Sequence, residues 1–294
     1  MSELRKEYEK FQEAKRQWLE KRLPRTYFQN QEARYVHPFQ IFGNVWYVGD
    51  SWVCVHLIDT GDGLLLLDGG NIGATAMLVN SIWEAGFNPA DIKWMVLSHG
   101  HLDHIGGAVF FRNMFGTIIY MGEPDARSFR EHPELSLVHE AGSLAHDVFE
   151  VDHEIKDGET IRFGNTEIQF FLTPGHTDGV ISAFFDATDG KKIVRAGYFG
   201  GFGFNTMRKD FLLDIGDTTF KTRQIYLDSL AKVHDQKVEL FLGNHCSNNR
   251  TLEKAQLLSE GCKDNPFINS TEWQSFLDQK RDEMICLMAD PEQN

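Results

Sequence analysis

The sequence predicts an α/β fold, with mixed β-sheet packed under helices. Three observations carry that prediction. Short apolar runs such as Leu64-Leu65-Leu66-Leu67 and Trp94-Met95-Val96-Leu97 have the length and bounds of buried strands. Stretches of helical length alternate with them in a β-α-β order between residues 64 and 120. Strands followed by helices return in the second half of the chain, which hints at an internal duplication.

Taken in order, residues 45–48, 53–58 and 64–68 read as strands, with turns at Gly49-Asp50 and Gly61-Asp62-Gly63. A helix is predicted over 72–85 with Ala74, Met77, Leu78, Ile82 and Trp83 inward. The strand at 94–97, a helix from about Ile105 to Met114 and a strand at 117–120 follow. Residues 123–150 are polar and read as helical excursions. They carry His132, His139 and His146, with His153 just beyond; none has a ligand-like neighbour, so these are read as surface or cleft-lining. His56 sits in a strand pattern and is read as a hydrogen-bonded core or cleft residue. Strands return at 160–163, 166–172, 180–185 and 192–196. A helix over 217–233, a strand at 239–242 and helices near 251–260 and 271–288 complete the chain. Upstream, residues 2–22 show an amphipathic stripe of Leu4, Tyr8, Phe11, Trp18 and Leu19, ended by Leu23-Pro24. A helix packed on its own domain is favoured there over a dimerisation arm. The expected organisation is a helical extension over 1–36 and one domain over 37–294.

Composition narrows the function. A chain of 294 residues can bury a large core, and 41% apolar with 24% charged residues is ordinary for a soluble globular protein. A net charge of −14 disfavours nucleic acid and anionic membranes as partners, since phosphate binding wants a basic surface. No stretch approaches the roughly 18 apolar residues of a membrane span, and the charged N-terminal residues lack the apolar core of an export signal. Cys54, Cys246, Cys262 and Cys286 form no Cys-x-x-Cys pair and read as free thiols. The expectation is a cytoplasmic protein with a small-molecule substrate; a homo-oligomer stays open.

The candidate chemistry is concentrated in Ser98-His99-Gly100-His101-Leu102-Asp103-His104, between a predicted strand and a predicted helix. His99 and His101 are two apart and point the same way on an extended segment. Asp103 and His104 fall where the chain turns, so one stretch can feed two adjacent cations. Imidazole and carboxylate suit zinc, and also iron or manganese. Two cations need more than four ligands. His176 and His245 are the further candidates, each in a loop that follows a predicted strand. Asp68 ends a buried strand just before Gly69-Gly70, where an unpaired carboxylate is costly. It reads as an acceptor that orients a ligand histidine, or else as a turn residue capping its own loop.

These residues resemble the metallo-β-lactamase superfamily, whose signature is His-x-His-x-Asp-His followed by later single histidines. Within it the chain is most similar to subclass-three metallo-β-lactamases. The similarity extends to His37–Gly49, Leu64–Gly70, Lys156–Gly164, Thr173–Thr177 and Asp264–Ile268, and covers about residues 37 to 288. It implies an αββα sandwich: two mixed β-sheets face to face with helices on the outer faces. It implies a hydrolase domain over 37–294, with Gly49-Asp50-Ser51-Trp52 bordering the substrate cleft. Two departures stand out. Tyr198 follows the predicted strand near 196, where many relatives carry an Asp or Cys that bridges or binds the second metal. This weakens hydroxyacylglutathione hydrolase, lactonase and phosphodiesterase readings. Gly200-Gly201-Phe202-Gly203-Phe204-Asn205 stands where the subclass usually has serines that help hold the lactam carboxylate, so an apolar substrate gains weight.

The expected centre has His99, His101 and His176 on one zinc and Asp103, His104 and His245 on the other. Three protein ligands each leave open positions, the mark of a catalytic site. Water between the two cations, acidified to a pKa of about 7, would attack a carbonyl carbon, with Asp103 orienting it and passing on its proton. The expected reaction is β-lactamase-like hydrolysis of an amide, lactam or ester. Thioester, lactone or phosphoester hydrolysis is the alternative, and metal binding without turnover a third reading. Cys246 is expected to face away from His245, as neighbouring residues usually do.

Overall fold

The computed structural model describes residues 33–294, so the predicted helix at 2–22 and most of the 1–36 extension lie outside the described residues. One sheet has seven strands in sequence order: β1 (Phe39–Phe42), β2 (Val45–Tyr47), β3 (His56–Asp59), β4 (Leu64–Leu67), β5 (Ile92–Leu97), β6 (Ile118–Gly122) and β7 (His153–Ile155). It is antiparallel from β1 to β4 and parallel from β4 to β7. The other runs β12-β11-β10-β9-β8, built from β8 (Thr160–Phe163), β9 (Thr166–Leu172), β10 (Ile181–Thr188), β11 (Ile193–Phe199) and β12 (Leu240–Leu242). Only the β11–β12 pair in it is parallel. The helices are α1 (Thr75–Glu84), α2 (Ala108–Phe115), α3 (Glu123–Glu131), α4 (Leu144–Asp147), α5 (Lys209–Asp214), α6 (Lys221–His234), α7 (Thr251–Ser259) and α8 (Glu272–Ala289).

Strand side chains alternate between faces, and here both faces are apolar because both are covered. On β4, Leu65 and Leu67 join the core between the sheets, with Phe170, Ala183 and Phe185. Their neighbours Leu64 and Leu66 face the other way, onto Leu78 and Ile82 of α1 and Phe111 of α2. On β10, Phe184 points outward to Trp273 of α8, with ring centroids 5.3 Å apart. Each such buried side chain is worth about 1.5–3 kcal/mol. The result is the αββα sandwich that the resemblance implied.

Several elements differ from the sequence reading. α1 starts at Thr75, and Trp83, expected inward, is 58% exposed on its outer side. The helix after the ligand loop begins at Ala108 rather than near Ile105, because Gly106 and Gly107 first donate their N–H groups to Gly70 and Gly69. A Cβ on Gly106 would lie 2.1 Å from the Asn71 carbonyl oxygen, so the close approach requires glycine. β3 begins at His56, and Val53 instead bridges His245. β11 continues through Phe199, since Gly197 and Tyr198 pair with Phe241 and Leu242. Tyr198 is therefore inside a strand, not beyond it. The sequence reading missed the short α5, and α6 begins at Lys221, not at 217.

The two sheets meet beside the ligand loops. Ile181 N donates to Ser98 O at 2.9 Å, and Cys54 N donates to Asn244 O at 2.9 Å. The loops after β5, β9 and β12 are thus brought to one edge of the sandwich.

Candidate metal centre

All six predicted ligands converge at that edge. His101 Nδ1 lies 3.0 Å from His176 Nε2, and His99, His101 and His176 each present a ligand atom within 4.8 Å of the others. His104 Nε2 lies 3.2 Å from His245 Nε2, and Asp103 Oδ2 is 3.5 Å from the first and 3.6 Å from the second. His99 sits between the groups, its ring centroid 4.3 Å from that of His104 and 4.7 Å from that of His176. His99, His101 and His104 are buried; His176 and His245 are nearly so.

On three of the histidines one ring nitrogen is already committed, which decides what the other presents. His104 Nδ1–H donates to Asp68 Oδ2 at 2.7 Å, and His176 Nδ1–H donates to Gly203 O at 2.9 Å. His99 Nδ1 lies 3.0 Å from Ser98 Oγ. Nε2 of His99, His104 and His176 therefore presents a lone pair, and buried His99 Nε2 has no hydrogen-bond partner among the described residues. Burial and then the neighbouring histidines push His99, His101 and His245 well below the ordinary imidazole range, and burial takes His176 down to about 4. Neutral imidazoles are the form that binds metal. Burial opposes charge on His104 too, but Asp103 and Asp68 outweigh it and raise its pKa. Burial raises the Asp103 carboxyl, against the pull of His104.

The donor set fits zinc. Asp103 Oδ2, His104 Nε2 and His245 Nε2 form a triangle with edges of about 3.4 Å, whose centre lies about 2.0 Å from each corner. That is the length of a zinc–nitrogen or zinc–oxygen bond. A lone-pair cluster with an orphaned nitrogen is what a cation would resolve.

Around the ligands, Asp68 organises the support. It sits at φ 71, a left-handed conformation uncommon outside glycine, so that its carboxylate turns back under the ligand loop. Oδ1 accepts from Ser98 N at 2.7 Å, while Oδ2 accepts from Ser98 Oγ, His104 Nδ1 and the Tyr198 hydroxyl. The sequence reading of Asp68 as an orienting acceptor matches this geometry. Tyr198 is no ligand: its ring is buried and its hydroxyl serves Asp68.

The Gly-Phe loop wraps His176. A Cβ on Gly201 would stand 2.7 Å from Val180 Cγ2 and 3.0 Å from His176 Cβ, which explains the glycine. Phe202 packs edge-on to His245 at 5.3 Å, and Trp52 does the same from the other loop at 5.0 Å. Both rings line a cavity of about 290 Å³ over the ligands, together with Leu102, Leu137, Glu140 and Asn244. A smaller cavity of about 80 Å³ shares His101 and His176 and contains His132 and Asp178.

Other predicted residues fall outside the cluster. His56 Nε2–H donates to Gly243 O at 2.8 Å, and burial lowers its pKa to about 4. His139 and His146 are exposed, and His153 pairs with Glu159 at 2.9 Å. Cys246 turns away from His245, its Sγ 3.1 Å from Tyr47 Oη and 3.9 Å from Cys54 Sγ. One residue escaped the sequence reading. Asp125, buried on α3, accepts from Gly100 N, Gly179 N and Thr177 Oγ1 at 2.6–2.8 Å, tying together the loops that carry His101 and His176. Burial raises its pKa to about 6 against those hydrogen bonds.

The fold and this cluster together define a known class. Residues 53–189 match the family model of the metallo-beta-lactamase superfamily. Among solved structures the chain is similar to BJP-1, a subclass B3 metallo-beta-lactamase of Bradyrhizobium japonicum, at 26% identity and TM-score 0.76, covering 87% of this chain and 95% of that one. Native FEZ-1 metallo-beta-lactamase from Legionella gormanii gives 26% identity and TM-score 0.77, over 89% of this chain and 98% of the other. The chain carries a metallo-beta-lactamase superfamily domain. Curated relatives match over shorter stretches. N-acyl homoserine lactonase AiiA of Bacillus thuringiensis subsp. kurstaki is 29% identical over 40% of this chain and 42% of its own length. Hydroxyacylglutathione hydrolase GloC of Haemophilus influenzae is 30% identical over 44% of this chain and 58% of its own length.

Proposed function

We propose that this protein is a zinc-dependent hydrolase with a two-ion centre that cleaves an amide, lactam or ester. His99, His101 and His176 would hold one ion, and Asp103, His104 and His245 the other. Zinc held there supplies Lewis acidity toward a carbonyl oxygen and lowers the pKa of water to about 7. The chain's own residues do the rest. Asp68 and the Gly203 carbonyl fix the tautomers of His104 and His176, so that Nε2 of each faces inward. Asp103 is the one carboxylate among the six; its second oxygen accepts a hydrogen bond from the attacking water and holds its proton. Trp52, Leu102, Leu137 and Phe202 wall the cavity, exclude bulk water and seat the apolar part of a small substrate.

The observation that carries this reading is the convergence of six ligand atoms under a cavity of about 290 Å³. Thioester, lactone or phosphoester hydrolysis is the alternative, favoured by the likeness to the lactonase and the hydroxyacylglutathione hydrolase. Against it, Tyr198 stands where many relatives place a bridging carboxylate. The substrate is a small molecule, not nucleic acid or a membrane; no helix among the described residues is long and apolar enough to cross one. Four free cysteines fit a reducing, cytoplasmic setting. Elemental analysis combined with a chromogenic panel of lactam, ester, lactone, thioester and phosphoester tests the proposal. About two zinc ions per chain with carbonyl-substrate turnover is the expected result; zinc-loaded protein that turns over nothing in the panel would overturn it.

A further inference from the structure

Resting on the hydrolase reading, we propose that Glu140 selects substrates by charge: the cleft takes a compound whose end remote from the reacting carbonyl bears an ammonium group, and turns anionic ones away. Glu140 lines the cavity over the ligands at the end of a short 3₁₀ turn, Val138–Glu140. Its backbone N–H donates to Leu137 O at 2.9 Å, yet its half-buried carboxylate has no hydrogen-bond or ion-pair partner among the described residues. No lysine or arginine lines this cavity, nor the smaller one that shares His101 and His176, among the described residues.

Among the described residues, the cations beside Trp52 and Phe202 have carboxylate partners of their own. Arg34 lies 5.4 Å from the Trp52 ring centre and 3.9 Å from Asp50, and Lys280 lies 5.1 Å from the Phe202 ring centre and 2.7 Å from Glu283. A cation that enters beside this unpaired carboxylate gains by Coulomb attraction to it. At the end remote from the ligands, an anionic group meets Glu140 with no lysine or arginine on the cavity walls among the described residues to offset it.

The test uses zinc-loaded full-length protein and three esters that share one chromogenic leaving group. Their acyl chains match in length and end in ammonium, hydroxyl or carboxylate. Expected kcat/KM falls in that order, by about 10-fold per step, with the difference residing in KM. Glu140→Gln brings the three within about twofold, and Glu140→Asp restores part of the order. Calorimetric binding of the matched acyl-chain alcohols, which carry no scissile bond, follows the same ranking. Turnover with a flat order in the native protein, or an order unchanged in Glu140→Gln, overturns the charge selection alone. A preserved calorimetric ranking without turnover of any ester supports the charge selection and overturns the hydrolase reading.

Discussion

The Tyr198 hydroxyl donates to the same Asp68 oxygen that receives His104 Nδ1–H. Tyr198 thus supports the carboxylate that in turn orients His104. With Ser98 Oγ also donating to Oδ2, the Asp68 carboxylate is fully engaged, which costs little because each donor offsets part of its burial. Tyr198→Phe keeps the ring and removes one donor. The fold should survive, and His104 should be held less firmly in the tautomer that faces Asp103 and His245. Affinity for the second ion is expected to fall about 10- to 100-fold, read by competition with a chromophoric chelator. An unchanged affinity would assign the hydroxyl a packing role only.

A second prediction concerns stability, away from the metal ligands. Phe220 precedes α6 in a left-handed conformation and offers no capping side chain. Asp217 caps the helix instead, accepting from Lys221 N at 3.1 Å, Thr222 N at 2.9 Å and Thr222 Oγ1 at 2.8 Å. Burial alone would raise its pKa, but these hydrogen bonds win and hold it at about 2. Because the folded value is depressed below the unfolded 3.8, the stabilisation is complete above that pH and is lost as pH falls through 2. Asp217→Ala should cost about 1–2 kcal/mol at pH 7 in urea denaturation. Its deficit against the native protein should narrow between pH 4 and pH 2.

The six candidate ligands were legible because each is a polar residue in a loop that follows an apolar strand, a conjunction that survives in one dimension. Asp68 was legible for the same reason, as a carboxylate where burial demands a partner. Tyr198 was harder to place, since Gly197 interrupts the apolar pattern and hides the last residues of β11. Trp83 was misread because an amphipathic period marks a face without saying how far the covered region extends. Asp125 left no trace, for its partners are two backbone N–H groups and a threonine brought close only by the fold.

That hidden carboxylate gives a third prediction. Asp125→Ala strips acceptors from Gly100 N, Gly179 N and Thr177 Oγ1 in a buried setting. Each orphaned donor costs about 1–3 kcal/mol, so a loss of about 3–5 kcal/mol is expected in denaturant. The loops it joins carry His101 and His176, so zinc at the three-histidine group should weaken before zinc at His104. A variant with native stability and native metal content would refute the tie.

The proposed division of the six candidate ligands into two groups gives the fourth. His101 faces His176 at 3.0 Å, whereas His245 faces His104 at 3.2 Å and approaches Asp103 at 3.6 Å. If each group holds its own ion, the two histidines are not equivalent. His245→Ala should leave about one zinc per chain, held by His99, His101 and His176, with kcat lowered about 100- to 1,000-fold. His101→Ala should lose the other ion and abolish turnover. The rings of Trp52 and Phe202 lean on His245, so its removal also leaves a void. Thermal midpoints of the metal-free proteins separate that packing loss from the loss of a ligand. Equal zinc content in the two variants and the native chain would show that the histidines do not divide in this way.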